Sequence, residues 1–456
     1  MYKEQLQQML AFFNGGTTKS YAFRRQHLQK LKQAILQYEE EISHALYTDL
    51  KKSKEEAFAT EIGIALTEIN FTLKNLRSWM QPQKAGTNLV NLPSSSKIYK
   101  DPWGVVLVIA PWNYSFQLLM NPLIAAIAGG NTVVLKPSEL APATAAVMEK
   151  ICKQVFAPEH VLVVQGDGAT VVPALMQSFR FNYVFYTGSI PVGKAIYKMA
   201  AENLIPVTLE LGGKSACIVE ADANLQVAAN RIVLGKFTNV GQTCIAPDYV
   251  LVHQSVKQQL IDALQQSIEK FYTADASQSH DYGKIINEKR FDALVAYLQQ
   301  GKIVYGGHHD KNKLYLSPTI IENVSLNAPL MSEEIFGPIL PILTFNTDEE
   351  ALQVVQQNEN PLAFYLFTNN KKTESFWMQN VSFGGGCINN SVWQFANHHL
   401  PFGGVGNSGI GAYHGKYSFD TFTRQKPVLK TPTWFDPAIK YPSFKGKLKL
   451  FKWLFR

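Results

Sequence analysis

Cys244 is the residue whose type and neighbours point most directly to chemistry. It lies in the segment Gly241-Gln242-Thr243-Cys244-Ile245, whose composition is typical of a loop. A cysteine thiolate is a strong nucleophile near neutral pH, especially where dipoles or cations lower the pKa of the thiol. A single cysteine is more often a small buried hydrophobic residue, and Cys152, Cys217 and Cys387 fit that interpretation. The polar neighbours of Cys244 favour a nucleophile at this position.

Glu210 could act as a general base. It stands in the apolar run Val207-Thr208-Leu209-Glu210-Leu211, which two glycines follow. Burial among apolar residues would raise the pKa of this carboxyl group towards neutrality, as a general base needs. A core carboxylate paired with Lys214, or a surface residue of a strand, explains the same pattern, and spacing alone favours these alternatives.

Asn113 follows Pro111 and Trp112 at the end of another apolar run. Its side-chain amide could donate a hydrogen bond to an oxyanion that develops on a substrate. Asparagine after a strand more commonly forms a turn with its own main chain, so this interpretation stays open.

Three further segments could bind a nucleotide. Leu135-Lys136-Pro137-Ser138-Glu139 places an amine and a carboxylate where they could hold ribose hydroxyls, or it begins a helix with Ser138 as cap and Lys136 in solvent. Thr187-Gly188-Ser189 opens a predicted helix, where small residues can approach a pyrophosphate. Glu333-Glu334-Ile335-Phe336-Gly337-Pro338 could place a ring on nicotinamide and a carboxylate on its ribose, or it ends a helix with a core Phe336.

Two α/β halves are predicted to position these residues. In both, apolar runs typical of buried strands alternate with helical patterns, which favours parallel sheets covered on both faces. Turn-forming residues end these runs, at the strand ends where open α/β sheets bind ligands. The predicted strands are 105–109, 132–135, 161–164, 183–186, 216–219, 249–252 and 341–345. The predicted helices include 55–80, 118–128, 141–155, 171–178, 225–237, 256–271 and 290–300, and 81–96 reads as an irregular linker.

The composition indicates a large globular protein and argues against several classes of function. Of the 456 residues, 46% are hydrophobic and 17% are charged, so a large core is expected and wholesale disorder is not. The four cysteines are widely spaced and match no ligand pattern, which predicts neither a disulfide scaffold nor a metal site. No signal peptide or membrane span is expected, so we predict a cytoplasmic protein. A net charge of +7 gives little support for nucleic-acid binding.

Taken in their order along the chain, these segments resemble the aldehyde dehydrogenase superfamily over nearly the whole sequence. Four stretches make the class-three branch, which includes the fatty aldehyde dehydrogenases, the best match. They are Cys244-Ile245-Ala246-Pro247-Asp248-Tyr249, Pro401-Phe402-Gly403-Gly404-Val405-Gly406-Asn407-Ser408-Gly409, Tyr413-His414-Gly415-Lys416 and Ser418-Phe419-Asp420-Thr421-Phe422.

The resemblance implies that Cys244 is the nucleophile of an NAD(P)-dependent oxidation of aldehydes to carboxylates. Asn113 and the main-chain N–H of Cys244 would form the oxyanion hole, and Glu210 would activate the water that hydrolyses a thioester. We predict medium- to long-chain aliphatic or aromatic aldehydes as substrates. A CoA-acylating dehydrogenase is the alternative, and a catalytically idle binding protein on the same scaffold is less favoured because Cys244 is present.

The resemblance also implies a cofactor site built from Lys136, Glu139, Gly188, Ser189, Glu334, Phe336 and Trp112. Lys136 and Glu139 would contact the adenosine ribose, and Gly188 would let the cofactor approach the sheet. Glu334 would bind the nicotinamide ribose with Phe336 against the nicotinamide. A carboxylate near the ribose 2′-hydroxyl favours NAD over a 2′-phosphate, so we predict NAD, with NADP use possible.

The implied fold is a Rossmann-like cofactor domain, a second α/β catalytic domain and a small bridging or oligomerisation element, in a homodimer. The predicted bounds are 1–80 and 100–210 for the cofactor domain, 211–395 for the catalytic domain, and 81–99 with 396–430 for the bridging element. The remaining residues, 431–456, form a basic amphipathic tail. If its last dozen residues are helical, one stripe is basic and much of the rest is apolar, which predicts either peripheral membrane contact or docking on protein.

Overall fold

The computed structural model describes residues 2–455. Its α-helices are α1 (Tyr2–Asn14), α2 (Tyr21–Gln37), α3 (Glu39–Leu50), α4 (Lys54–Ala57), α5 (Gly63–Trp79), α6 (Gln117–Gly129), α7 (Pro142–Val155), α8 (Gly168–Ser178), α9 (Ile190–Glu202), α10 (Leu225–Phe237), α11 (Lys257–Tyr272), α12 (Glu288–Tyr297), α13 (Pro329–Ser332), α14 (Asp348–Gln356), α15 (Lys371–Asn380), α16 (Lys416–Thr421) and α17 (Leu448–Leu454).

The strands are β1 (Gln83–Ala85), β2 (Ser95–Pro102), β3 (Val105–Ile109), β4 (Thr132–Lys136), β5 (Val161–Val163), β6 (Tyr183–Thr187), β7 (Val207–Glu210), β8 (Ala216–Val219), β9 (Tyr249–His253), β10 (Lys302–Tyr305), β11 (His309–Asp310), β12 (Tyr315–Leu316), β13 (Thr319–Glu322), β14 (Ile339–Phe345), β15 (Ala363–Phe367), β16 (Gly385–Ile388), β17 (Gly409–Ile410) and β18 (Thr423–Lys430). The strands and helices that we predicted in both halves are confirmed to within a few residues at their ends.

The first half of the chain forms a six-stranded sheet in the order β17-β7-β6-β3-β4-β5. Strands β3 to β7 are parallel, and β17 pairs antiparallel with β7. Alternate residues of β3 enter two different cores: Val106 and Val108 pack in one with α6, and Val105 and Leu107 in the other with α8. The strand order reverses between β3 and β6, and open sheets bind ligands at the carboxyl ends of strands at such a point.

The second half forms a seven-stranded sheet in the order β10-β13-β14-β9-β8-β15-β16, in which β10 alone is antiparallel to its neighbour. The chain passes between the two sheets at Gly212 and Gly213, because β7 ends at Glu210 and β8 begins at Ala216. The carboxyl end of β7 therefore lies beside the first residues of the second sheet.

A third sheet of three antiparallel strands, β1-β2-β18, joins the two segments that we assigned to a bridging element. The prediction of an irregular linker over 81–96 was wrong for Gln83–Ala85, which form strand β1. All three residues are exposed, so the strand is held by main-chain pairing with β2 and leaves no hydrophobic pattern in the sequence. The proposed domain bounds stay a prediction.

The N-terminal region and the tail depart from the predicted helices. The predicted helix 55–80 is interrupted by a π-helical turn at Phe58–Ile62. In the tail, helix α17 covers seven residues rather than a dozen, and none of them is buried. No helix in the described range 2–455 is long and apolar enough to cross a membrane.

Candidate active site

A cavity of about 250 Å³ brings Cys244 and Glu210 together. Glu210 reaches it from the carboxyl end of β7 in the first sheet, and Cys244 from the loop after α10 in the second half. Most of the walls are apolar and include Leu118, Leu211, Ile245, Val392, Phe395 and Phe402. Leu234 and Trp393 also line the cavity and are 38% and 56% exposed, so they lie where the cavity opens to solvent.

The loop that carries Cys244 is held on both sides. The hydroxyl groups of Tyr114 and Thr243 are hydrogen bonded at 2.7 Å, and the hydroxyl of Tyr365 donates to the carbonyl of Ile245 at 2.6 Å. Gly241 has φ +73° and a side chain there would collide with the carbonyl of Gly337, so glycine is required before the nucleophile loop.

The Cys244 thiol lies in an environment that disfavours its ionised form. Burial, followed by the charges of Glu334 and Glu210, raises the pKa of this half-buried thiol. The resting group is therefore a thiol, and its proton must leave when the sulfur attacks. Cys152 and Cys217 are buried as predicted, but Cys387 is half-buried and donates to Gln394 Oε1 at 3.0 Å.

Glu210 is a buried carboxyl group without a partner. Its side chain is 1% exposed, and neither oxygen has a hydrogen bond within the described part of the chain. Burial raises the pKa of Glu210 well above its ordinary value, as the apolar sequence context predicted. Lys214 forms an ion pair with Asp248 instead, so the alternative of a Glu210–Lys214 pair is wrong.

Asn113 lies directly against the nucleophile loop. Its side-chain Nδ2 donates to the main-chain carbonyl of Gln242 at 3.0 Å, and its own carbonyl accepts from Asn239 Nδ2 at 2.8 Å. Its Oδ1 has no partner among residues 2–455, so the expected alternative, a turn closed by this side chain, is not formed. One N–H of the amide remains available beyond the bond to Gln242.

Lys136 and Glu139 form an ion pair of 2.9 Å at the carboxyl end of β4. Lys136 is 2% exposed, and helix α7 begins only at Pro142, so the alternative of a solvated lysine at a helix start capped by Ser138 is wrong. Burial raises the pKa of Glu139, but the hydrogen bond from Lys136 lowers it, and the net result is a pKa below the ordinary value of a glutamate. A Cβ added to Gly168 would lie 3.6 Å from both carboxylate oxygens, so the glycine keeps this surface open.

Trp112, Gly188 and Ser189 lie next to this pair along the same edge of the sheet. The parallel register aligns Ile109 with Lys136 and with Tyr186, so the segments after β3, β4 and β6 all leave at one edge. A side chain at Gly188 would collide with the ring of Tyr186, so the packing of this ring requires glycine at the position.

Glu334 and Phe336 reach the same edge from the second half of the chain. Helix α13 ends at Ser332, and Phe336 is half-buried with φ +45°, so the alternative of a helix end with a core phenylalanine is wrong. The Phe336 and Trp112 rings meet edge to face, with centroids 5.4 Å apart. Burial raises the pKa of the Glu334 carboxyl to about 8.

The residues along this edge could hold a dinucleotide. The ion pair beside Gly168, Gly188 itself and the aromatic pair Trp112–Phe336 form one row along the carboxyl ends of β4, β3 and β6. Small residues, a carboxylate for hydroxyl groups and aromatic surface match the parts of a nicotinamide dinucleotide. The seven residues predicted for the cofactor lie along this edge, and Cys244 and Glu210 line the adjoining cavity.

Sequence reasoning missed the residues that support Asn113 and those that shape the cavity. Lys52 and Glu61 are both fully buried next to Asn113, and Tyr413 and His414 form part of the cavity wall. A buried lysine carries no local signature in a sequence. Tyr413 and His414 stood in a segment that we used only for the resemblance.

The model of the aldehyde dehydrogenase family matches residues 4–428. The chain is 48% identical over 448 residues to the 4,4'-diaponeurosporen-aldehyde dehydrogenase of Staphylococcus aureus (strain NCTC 8325 / PS 47). The aligned region covers 98% of this chain and 97% of that protein. It is 41% identical over 438 residues to the Rattus norvegicus protein named aldehyde dehydrogenase, dimeric NADP-preferring, over 96% of each chain. A solved structure, described as the substrate-bound state of Staphylococcus aureus AldH, has a TM-score of 0.98 at 46% identity and covers 100% of both chains.

Proposed function

We propose that this chain, which belongs to the aldehyde dehydrogenase family and oxidises aldehydes with NAD or NADP, works through a thioester on Cys244 that water hydrolyses. The observation that carries this proposal is the shared cavity of Cys244 and Glu210, in which the carboxyl group has no hydrogen-bond partner among residues 2–455. A buried carboxyl with a raised pKa beside a nucleophile is suited to moving protons.

In the first step the sulfur of Cys244 attacks the carbonyl carbon, and a C–S bond forms while the carbonyl electrons move to oxygen. The thiol proton passes to the ionised form of Glu334 or Glu210, the two carboxylates whose charges act on this thiol, and is released to solvent before the second step. The free N–H of Asn113 and the main-chain N–H of Cys244 stabilise the oxyanion. A bound NAD or NADP would supply the hydride acceptor, so that the adduct on Cys244 loses hydride and becomes a thioester.

In the second step Glu210 removes a proton from water, which attacks the thioester carbonyl. The C–S bond then breaks, the Cys244 sulfur takes up the proton held by Glu210, and the carboxylic acid is released. Because the oxygens of Glu210 are held by no other residue of the described chain, they are available for a water molecule. The need for such a base distinguishes hydrolysis from transfer to CoA, which would proceed without it.

For the cofactor we propose that Lys136 and Glu139 hold the adenosine ribose and that Glu334 holds the nicotinamide ribose against Phe336. Gly188 and Ser189 would admit the pyrophosphate, and Trp112 would support Phe336 from its edge. The negative charge of Glu139 supports NAD as the preferred cofactor. The ratio of kcat/KM for NAD and NADP tests this, and a strong preference for NADP would refute it.

For the substrate we propose medium- to long-chain aliphatic or aromatic aldehydes. The cavity walls are largely apolar, and its opening at Leu234 and Trp393 is apolar as well. A relative is named 4,4'-diaponeurosporen-aldehyde dehydrogenase, which supports an aldehyde as the substrate. Each buried methylene contributes about 0.8 kcal/mol, so kcat/KM is expected to rise with chain length until the cavity is filled.

The test is NADH formation across the straight-chain aldehydes from acetaldehyde to dodecanal, with and without CoA. We expect a rise of about threefold or more per methylene over the first members and turnover without CoA. A flat series would refute the apolar substrate class. Turnover that requires CoA would instead favour the CoA-acylating alternative.

We also propose that the tail, residues 431–455 of the described chain, contacts an anionic lipid surface. Trp434, Trp453 and Phe455 are 78%, 69% and 74% exposed, and the segment from Lys440 to Lys452 contains five lysines, counting both ends. Exposed aromatic residues among lysines match a membrane interface that carries negative charge.

Sedimentation with vesicles tests the tail. The full chain is expected to co-sediment with vesicles that contain phosphatidylglycerol and to be released by salt, whereas a form that ends before Pro442 stays in solution. A charge-reversed control, Lys449→Glu with Lys452→Glu, should lose the same binding. Equal sedimentation of the full and shortened forms would refute the lipid contact.

We further propose a cytoplasmic homodimer, in which the three-stranded sheet β1-β2-β18 belongs to the oligomerisation element. The rat relative named dimeric supports the assembly. Sedimentation velocity should then give about twice the 51.0 kDa of one chain.

A further inference from the structure

Lys52 and Glu61 form an ion pair that is completely removed from solvent, with both side chains 0% exposed. Lys52 lies between α3 and α4, and Glu61 lies in the π-helical turn Phe58–Ile62. Such a turn rotates the side chains that follow it and occurs frequently at functional sites. A buried pair of this kind costs free energy of desolvation, so it calls for a role beyond stability.

Beyond the bond to each other, the Lys52 ammonium and the Glu61 carboxylate both bond to one segment of the chain, residues 113–117. The Lys52 ammonium donates to the main-chain carbonyl of Asn113 at 3.0 Å and lies 4.0 Å from the centre of the Tyr114 ring. The Glu61 carboxylate accepts the main-chain N–H groups of Phe116 at 2.8 Å and Gln117 at 3.2 Å, where α6 begins.

The carbonyl of Asn113 thereby receives two donors, Lys52 Nζ and Asn239 Nδ2. Asn239 Nδ2 also lies 3.2 Å from the carbonyl of Gln242, the same atom that accepts the side chain of Asn113. With both lone pairs of the carbonyl occupied, the peptide plane after Asn113 is fixed, and the bond from Nδ2 to the Gln242 carbonyl then holds the side chain on that fixed main chain.

We propose that Lys52 and Glu61 are positioning residues that hold the amide of Asn113 where it meets the oxyanion. The pair touches neither substrate nor cofactor and acts through the main chain of Asn113. Charge-assisted hydrogen bonds are stronger than neutral ones, which suits an ammonium for holding a carbonyl in place. This inference rests on the oxyanion role of Asn113 given above.

A cycle of variants tests the inference by measuring kcat, KM and thermal midpoint. Asn113→Ala is expected to lower kcat by about 10²–10³-fold, as for the loss of one oxyanion donor. Lys52→Met with Glu61→Gln leaves no charge unpaired, and we expect about 10²-fold lower kcat with little change in KM, as for a small displacement of a catalytic group. In the Asn113→Ala background the two substitutions should lower kcat no further, because the group that they position is gone.

The matched control is Lys100→Met, which removes a 2.7 Å ion pair between a buried lysine and Asp420 away from the cavity. It should lower the thermal midpoint without lowering kcat. If the paired variant does not fold, Glu61→Gln alone enters the same cycle, with the same lack of additivity expected.

The outcomes distinguish a failure of the positioning role of Lys52 and Glu61 from a failure of the oxyanion role of Asn113. Wild-type kcat in the Lys52 and Glu61 variants, or losses that multiply with that of Asn113→Ala, would overturn the positioning role alone. Wild-type kcat in Asn113→Ala would overturn the oxyanion role and the positioning role together.

Discussion

Replacement of Cys244 by alanine is expected to abolish aldehyde-dependent NADH formation, with kcat at least about 10⁴-fold lower. The reaction as proposed needs a covalent bond to sulfur, and water cannot take that place, because hydride must leave from an adduct held against the cofactor. Stopped-flow absorbance at 340 nm with excess decanal measures both the first turnover and the steady state.

Cys387→Ala is the matched control. Cys387 is half-buried like Cys244, but it does not line the cavity and its thiol is bonded to Gln394. We expect near-wild-type turnover from it and unchanged NAD binding in both variants, measured by quenching of protein fluorescence. Substantial turnover by Cys244→Ala would show that the reaction does not pass through this thiol.

Replacement of Glu210 by glutamine is expected to separate the two steps. The variant should form one NADH per active site rapidly and then stall, since the thioester forms but no base activates water. The steady-state rate should fall by about 10²–10⁴-fold, the range that general-base catalysis contributes. The size of the burst, from rapid mixing at known site concentration, is the measurement.

The pH dependence of the hydrolysis rate is a second test of the role of Glu210. Burial raises the pKa of Glu210, so the fraction of ionised base, and with it the hydrolysis rate of the wild type, should increase as the pH rises towards that pKa. Glu210→Gln should lack this increase. Glu220→Gln is the control, because Glu220 also has a pKa raised, to about 7, by burial and by Asp348, yet it lies outside the cavity. Multiple turnover at wild-type rate by Glu210→Gln would refute the assigned role.

The core of the fold could be predicted because its strands are buried on both faces. Continuous apolar runs such as Val105–Ile109 mark parallel strands wherever they occur, and the glycines after Leu211 mark the crossing between sheets. Strand β1 could not be predicted, because exposed residues that pair only through their main chain leave no periodic pattern. The break in the helix at Phe58–Ile62 is likewise set by packing around Glu61 rather than by local propensity.

The sequence predicted the types of residue at the site, but only part of the surroundings that set their pKa values. The apolar neighbours of Glu210 predicted its raised pKa correctly, since they remain its neighbours in the fold. For Cys244 the polar loop indicated a candidate nucleophile, but the burial and the two carboxylates from distant segments that raise its pKa are not visible in the local sequence. The support of Asn113 by Lys52 joins residues 61 positions apart and becomes visible only in three dimensions.

Detection of the covalent intermediate on Cys244 tests the proposed mechanism most directly. Glu210→Gln is mixed with NAD and decanal, quenched in acid, and analysed by intact-protein and peptide mass spectrometry. We predict a protein heavier by one decanoyl group, with the label on the peptide that contains Cys244 and released by hydroxylamine. An unmodified protein after one equivalent of NADH has formed, or a label on another cysteine, would contradict a thioester on Cys244.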